Sequence, residues 1–335
     1  MKKLKSKFNV LILVAITILV LYFSLKDDFS NIVNQIMNIN VWLLIVAFLM
    51  VIIYWLLRSK AVSIFTKKFS PKTTYWSSFQ MMLRTQFFNA VTPFATGGQP
   101  YQVYHLIKDG LSASVSTSVI IQNFIVYQIA MVFLGMIAVI CNQVFGVFDG
   151  NSLLKYLVTL GFIINTFVII ILFIVAFSRK MNKKLIHLGI TILTKLKLVK
   201  DKEKKLKEWD EYINNFHKSA KILLENKFDF FLTILCNLVA LSCLYSIPYV
   251  LLGATGDFAS FSLPVAIMTS AYVMLIGSFV PIPGGSGGLE YGFVSFYGTF
   301  ITGSKLMAIM LLWRFVTYYF GMIVGAIALN MKKVD

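Results

Sequence analysis

Acid is scarce in this chain, and so is charge of either sign. Of 335 residues 14 are Asp or Glu against 31 Lys or Arg, and charged residues total 13%. A soluble domain carries about 25%, so a water-facing globular surface is excluded. A disordered chain is excluded by the opposite deficiency, since it lacks apolar residues rather than charge. Cys141, Cys236 and Cys243 form no C-x-x-C pair and lie in or beside apolar runs. That excludes a disulfide scaffold and leaves them as small buried hydrophobes. His105, His187 and His217 are scattered without H-E-x-x-H spacing, so neither a metal nor another cofactor is expected. No nucleophile–base constellation stands out. Arginine is limited to Arg58, Arg84, Arg179 and Arg314 in a chain that otherwise uses lysine.

What the chain has is apolar length. Apolar residues make up 58% and the mean hydropathy is +0.78, which leaves a polytopic membrane protein. Apolar runs sit at about 8–24, 41–57, 113–141, 154–177, 228–252 and 304–330. The first follows Met1-Lys2-Lys3-Leu4-Lys5 and lacks a small-x-small cleavage site before Lys26-Asp27-Asp28, so it reads as a retained signal-anchor span. The +17 net charge does not point to nucleic acid, and no such partner is expected. Lysine and arginine gather at the ends of the apolar runs, at Lys2 to Lys7, Arg58 to Lys72, Arg179 to Lys227 and Lys332/Lys333. The loops at 25–40, 142–153 and 253–260 contain few lysines. By the positive-inside rule the basic groups, with both termini, are cytoplasmic in a bacterial-type plasma membrane.

That rule leaves two segments out of step. The chain is inside at Lys72 and again at Lys108, yet the stretch between is too apolar for water, and the mirror situation holds outside for 261–300. The segments 73–107 and 261–300 are therefore expected to enter and leave on one side, as re-entrant hairpins. Their centres read Thr92-Pro93-Phe94-Ala95-Thr96-Gly97-Gly98-Gln99-Pro100 and Val280-Pro281-Ile282-Pro283-Gly284-Gly285-Ser286-Gly287-Gly288. Proline removes an amide donor and glycine opens conformations that other residues resist, so both centres break a helix. Broken backbone survives at membrane depth only where protein buries it or it lines a wet cavity. Span 41–57, hairpin 73–107 and span 113–141 correspond to span 228–252, hairpin 261–300 and span 304–330, with opposite starting sides. The predicted fold is thus all-α, a single polytopic helical bundle over 1–335 with two inverted repeats, each holding a Pro/Gly-broken re-entrant hairpin. In transporters that pattern marks a central binding site. Between the repeats, 178–227 reads as a cytoplasmic basic insert. Leu206, Trp209, Ile213, Phe216, Ala220 and Leu223 recur at helical spacing, as do Ile186, Ile190, Leu193 and Leu196. It can lie on anionic lipid or pack under the bundle.

Ionisable residues inside apolar segments are functional candidates by default. Arg84, Glu290 and Arg314 qualify, with Asp229 nearer a boundary and read as a helix-entry carboxylate. Guanidinium forks grip phosphate in a bidentate manner, so Arg84 and Arg314 are candidates for a phosphate headgroup. Glu290 either balances their charge or engages an ammonium group of the headgroup, or else forms a buried ion pair with Arg314, and a ligand that opens the pair reconciles these readings. Gly97, Gly98 and the stretch Gly284 to Gly288 can offer backbone amides to an anion. Gln99, Tyr101, Gln102, Tyr104 and His105 follow the first break.

The T-P-F-x-T-G-G-Q-P and P-G-G-S-G-G-x-E strings resemble the lysylphosphatidylglycerol synthase transmembrane region, also called the flippase-like domain family, and the resemblance spans about 5–330. It implies movement of aminoacylated phosphatidylglycerol to the outer leaflet, membrane phospholipids as partners, and resistance to cationic antimicrobial peptides. It also implies headgroup-contact roles for Gly97, Gly98, Gln99, Pro100, Gly284, Gly285 and Glu290. The family's full-length enzymes attach a cytosolic domain that makes the lipid from aminoacyl-tRNA. With no such domain after residue 330, lysyl transfer by this chain is not expected. A separate cytosolic synthase and a second copy of the chain are the protein partners this allows. Phosphatidylglycerol lysyltransfer and small-solute secondary transport are the alternatives to lipid translocation.

Overall fold

Short polar side chains open the long helices, as exposed helix starts require. The computed structural model describes residues 29–71, 73–148, 152–196, 198, 201–277 and 280–331, so the apolar run at 8–24 lies outside the described residues. Helix α1 (Phe29–Met37) leads to Asn40, whose side chain accepts from the Trp42 and Leu43 amides ahead of α2 (Val41–Lys67). Thr74 caps α3 (Tyr75–Ala90) in the same way. Next come α4 (Gly98–Lys108), α5 (Ala113–Phe145), capped by Ser112, and α6 (Ser152–Phe177). Ser178 and Asp201 cap α7 (Arg179–Lys195) and α8 (Lys202–Glu225), and Asn226 caps α9 (Lys227–Tyr245). The chain finishes with α10 (Ile247–Ala254), α11 (Leu263–Gly277), α12 (Gly288–Tyr297), α13 (Gly303–Arg314) and α14 (Phe320–Asn330). The described residues form helices and no strand.

Among the described residues five stretches are long and apolar enough to cross a membrane: Val41–Thr66, Ala113–Phe145, Lys155–Phe177, Lys227–Ala254 and Gly303–Asn330. Their outward faces carry large apolar side chains, as at Ile163, Phe167 and Ile170 on α6, which a lipid environment accommodates and water does not. Three of them differ locally from the apolar runs. Helix α2 continues past residue 57 to Lys67, because Arg58 is buried within it rather than standing at its end. The run at 228–252 is two helices meeting at Ser246, where Pro248 begins α10 at a position that needs no amide. The last run widens into a π-helical turn at Phe315–Tyr319, between α13 and α14.

Helix α2 lies along α9 and also touches α3 and α10, while α14 lies along α3 and α5 packs on α4, α6, α9 and α11. The arms flanking each Pro/Gly centre are short. At 1.5 Å per residue α3 rises about 24 Å and α4 about 16 Å, α11 about 22 Å and α12 about 15 Å. All fall short of a hydrocarbon core of about 30 Å. In the 178–227 insert, α8 turns Ile213, Phe216, Ala220 and Leu223 inward and packs on α5, where Tyr212 donates to Thr117 Oγ1 at 2.7 Å. Asp210 joins it to α7, 3.1 Å from Lys183 Nζ and 3.2 Å from His187 Nε2.

Candidate functional site

The two Pro/Gly centres pack against one another, the first with Pro93 to Thr96 exposed. They also share a backbone path. Thr92 (φ −118°, ψ 144°) matches Ile282 (−106°, 143°), and Phe94 (54°, 16°) matches Gly284 (65°, 10°). Ala95 at φ 53° matches Gly285 at φ 63°. The second break places glycine at these left-handed positions, whereas the first forces Phe94 and Ala95 into them, a strained arrangement that tends to occur at binding sites. Gly284 is also sterically required, since a Cβ there would lie 2.3 Å from the Tyr318 ring.

Arg314 holds the second break together. Its Nε is 2.7 Å from Glu290 Oε1, and its Nη2 donates to the Gly284 carbonyl at 3.1 Å and to Ser286 Oγ at 3.2 Å. The other oxygen of Glu290 accepts the Gly287 amide at 2.7 Å. Tyr318, on the π turn, lies under the guanidinium, 4.5 Å from ring centre to Cζ, and its hydroxyl donates to the Ala90 carbonyl at 3.0 Å. One tyrosine therefore touches Arg314, the second break and the end of the helix that leads into the first.

A cavity of about 630 Å³ is lined by residues of both breaks, Phe94 to Thr96 and Gly284 and Gly285 among them. Phe124, Met131, Ile164, Val168, Leu244 and Met274 give it apolar walls. Its polar lining includes Gln99, Asn89, Gln128, Asn165, Arg314 and Arg58. Among the described residues no Asp, Glu or Lys lines it. Arg58 is held by Asn237 Oδ1, which accepts from its Nη1, and lies 4.1 Å over the Tyr127 ring. An apolar chamber with guanidinium groups and uncharged amides suits an amphiphile whose polar end is anionic.

The model of the lysylphosphatidylglycerol synthase TM region matches residues 10–325, nearly the whole chain. The chain belongs to this family. A UPF0104 membrane protein of Archaeoglobus fulgidus is similar at 25% identity, over 97% of this chain and 96% of its own length. An uncharacterized MG306 homolog of Mycoplasma pneumoniae is 22% identical over 94% of this chain and 85% of its own length.

In this member of the family the residues singled out by sequence fall into two groups. Gln99, Gly284, Gly285 and Arg314 line the cavity, with Glu290 directly behind Arg314. Arg84, Gly97, Gly98 and Pro100 are not among the lining residues. Arg84 instead caps the last helix, donating from Nε to the Ala328 carbonyl and from Nη2 to the Met331 carbonyl, both at 2.9 Å. Gly97 donates its amide to Thr92 Oγ1 at 2.8 Å, and Gly98 is tightly packed, since a Cβ there would lie 2.1 Å from Asn89 Oδ1. Pro100 is exposed. Amides expected to face an anion are engaged within the breaks, Gly285 to the Ile282 carbonyl at 2.9 Å and Gly287 to Glu290. Asp229 sits in the first turn of α9 and pairs with Lys68. Arg58 and Tyr318 are the residues that the sequence reading did not bring to the site. Arg58 stood in a basic cluster and Tyr318 in the aromatic run Tyr318-Tyr319-Phe320 of an apolar span, so neither carried a distinguishing signal.

Proposed function

We propose that this protein moves a phospholipid or related polar lipid between the leaflets of a cytoplasmic membrane, with the headgroup passing through the cavity between the two breaks. The observation that carries this reading is the meeting of the two Pro/Gly breaks around a chamber of about 630 Å³ with two arginines in its lining. The breaks act as the centres of two re-entrant hairpins, whose arms of about 15–24 Å are too short to cross. Their matching φ/ψ values and opposed sequence context support an inverted repeat, the architecture in which a fixed site is exposed to each side in turn. Both termini and the basic α7–α8 insert are assigned to the cytoplasm by their lysines.

The role of each residue follows from its contacts. Arg314 is the headgroup anchor, neutralised by Glu290 in the empty site and released to a phosphate when one arrives. Gln99 supplies a neutral hydrogen-bonding group from the first break, and Tyr318 couples the guanidinium to both breaks. The family's description points to phosphatidylglycerol lipids, lysylated or unmodified, as the cargo class, and altered outer-leaflet charge with cationic-peptide resistance would follow from moving the lysylated form.

The test is transbilayer movement of headgroup-labelled lipid in vesicles reconstituted with the full chain. Faster movement of at least one phospholipid, lost in Arg314→Ala protein that still inserts and folds, supports the proposal. Unchanged movement for anionic, zwitterionic and lysylated headgroups with folded protein overturns it.

A further inference from the structure

Among the described residues Arg58 is a buried cation without a counter-ion. Its side chain belongs to a residue 9% exposed, on α2 between α9 and α5, and it lines the cavity. A guanidinium carries five N–H donors and stays charged at any working pH. The Asn237 carbonyl oxygen takes one of these donors, Tyr127 supplies a ring face, and Nε–H has no acceptor. Among the described residues no carboxylate pairs with it. Asp229, on the same helix as Asn237, is engaged by Lys68. Arg314 is different, because Glu290 cancels its charge at 2.7 Å. Two arginines and one glutamate leave one uncompensated positive charge at the cavity, and a buried unpaired charge is strongly unfavourable unless something brings the opposite one.

We propose that Arg58 is a binding residue for a single negative charge on the cavity's ligand, and that this charge is a phosphodiester. A phosphodiester carries one charge and two free oxygens that fit the guanidinium fork. The inference rests on the lipid reading above and adds its charge class. The site is matched to a lipid with net charge −1, such as phosphatidylglycerol. Attaching lysine to that headgroup adds two ammonium groups, for which the described lining offers no carboxylate. A soluble phosphodiester offers the same anion, and the two sources differ in whether the apolar walls are filled.

The experiment measures thermal unfolding of the purified full chain in nonionic micelles, with Trp55 and Trp313, both in the cavity lining, as fluorescence reporters of binding. The additives are phosphatidylglycerol, lysyl-phosphatidylglycerol, phosphatidylcholine and soluble glycerophosphoglycerol. The proteins are the parent, Arg58→Gln and Arg58→Lys. Phosphatidylglycerol is expected to stabilise the parent and to bind at least about tenfold more tightly than the lysylated or zwitterionic lipid. Arg58→Gln, which keeps a donor for Asn237, is expected to lose about tenfold or more in affinity. In lipid-free micelles the same variant unfolds at an equal or higher temperature than the parent, because a buried unpaired charge has gone. An arginine with a merely structural role would lower it. Arg58→Lys keeps the charge without the fork, and a several-fold weaker affinity from it carries the same conclusion if the glutamine variant does not fold.

Lipid stabilisation equal in the parent and both variants overturns the assignment of Arg58 while leaving the translocase reading intact. Equal binding of lysylated and unmodified lipid overturns the charge class. Glycerophosphoglycerol binding as tightly as the lipid overturns the amphiphile. No response of the parent to any lipid overturns the translocase reading itself.

Discussion

At the level of single residues the site depends on one buried ion pair. Glu290 and Arg314 have side chains 10% and 4% exposed, and between them they fix the second break to the end of α13. Removing one partner leaves the other charged and alone in a low-dielectric interior, which costs about 3–5 kcal/mol, whereas removing both leaves no orphan charge. Thermal unfolding of Arg314→Ala, Glu290→Ala and the double variant is therefore expected to be non-additive, with the double variant more stable than the sum of the single losses implies. Arg314 and Glu290 were legible as candidates because a charge in an apolar run stands out whatever its partner. Arg58 was not, because it falls where an apolar run meets a lysine cluster. A residue-by-residue hydropathy count ends the helix there, while Asn237 and Tyr127, far away in sequence, allow it to continue. Arg84 shows the converse. It stands out equally in the sequence, but its guanidinium is occupied by the carbonyls of Ala328 and Met331.

At the level of elements, the breaks were legible because proline and glycine interrupt a helix for local reasons, and the five described apolar runs fold as helices. The π turn was not. Nothing in Phe315-Val316-Thr317-Tyr318-Tyr319 resists an ordinary helix, and the turn widens where Arg314 and Tyr318 reach partners on other elements. The division of the 228–252 run at Ser246 was passed over because a proline near a helix start leaves hydropathy unchanged. The Tyr318 hydroxyl is the link between the π turn and the end of α3, so Tyr318→Phe is expected to lower stability by about 1 kcal/mol, the net worth of one such bond. It is also expected to slow lipid movement by more than it weakens lipid binding. Denaturant titration and the vesicle assay on the same preparation check both.

Across the whole molecule ion pairs tie the ends of helices together. Lys68, after α2, pairs with Asp229 at the start of α9, and the turn after α10 carries Asp257. Hydrogen bonding from Ser260 and, after it, Lys305 at 3.0 Å hold the Asp257 carboxyl well below its ordinary 3.8, against the opposing effect of its burial. The ionised side chain stabilises that end fully above about pH 4. The contribution fades below 3.8, where the unfolded chain takes up the proton first. Asp257→Asn is thus expected to unfold at a lower temperature than the parent at pH 7, with the difference narrowing as the pH is brought below 3.8. The most direct test of the whole account is site-specific photo-crosslinking from Gln99 in native membranes, followed by mass spectrometry of the adduct, with Ile170 on the outer face of α6 as the control. A diazirine-bearing side chain at Gln99 is predicted to capture phospholipid through its headgroup, and the same probe at Ile170 to capture acyl chains. Headgroup adducts absent from Gln99, with acyl adducts present at Ile170, would contradict a headgroup path between the breaks.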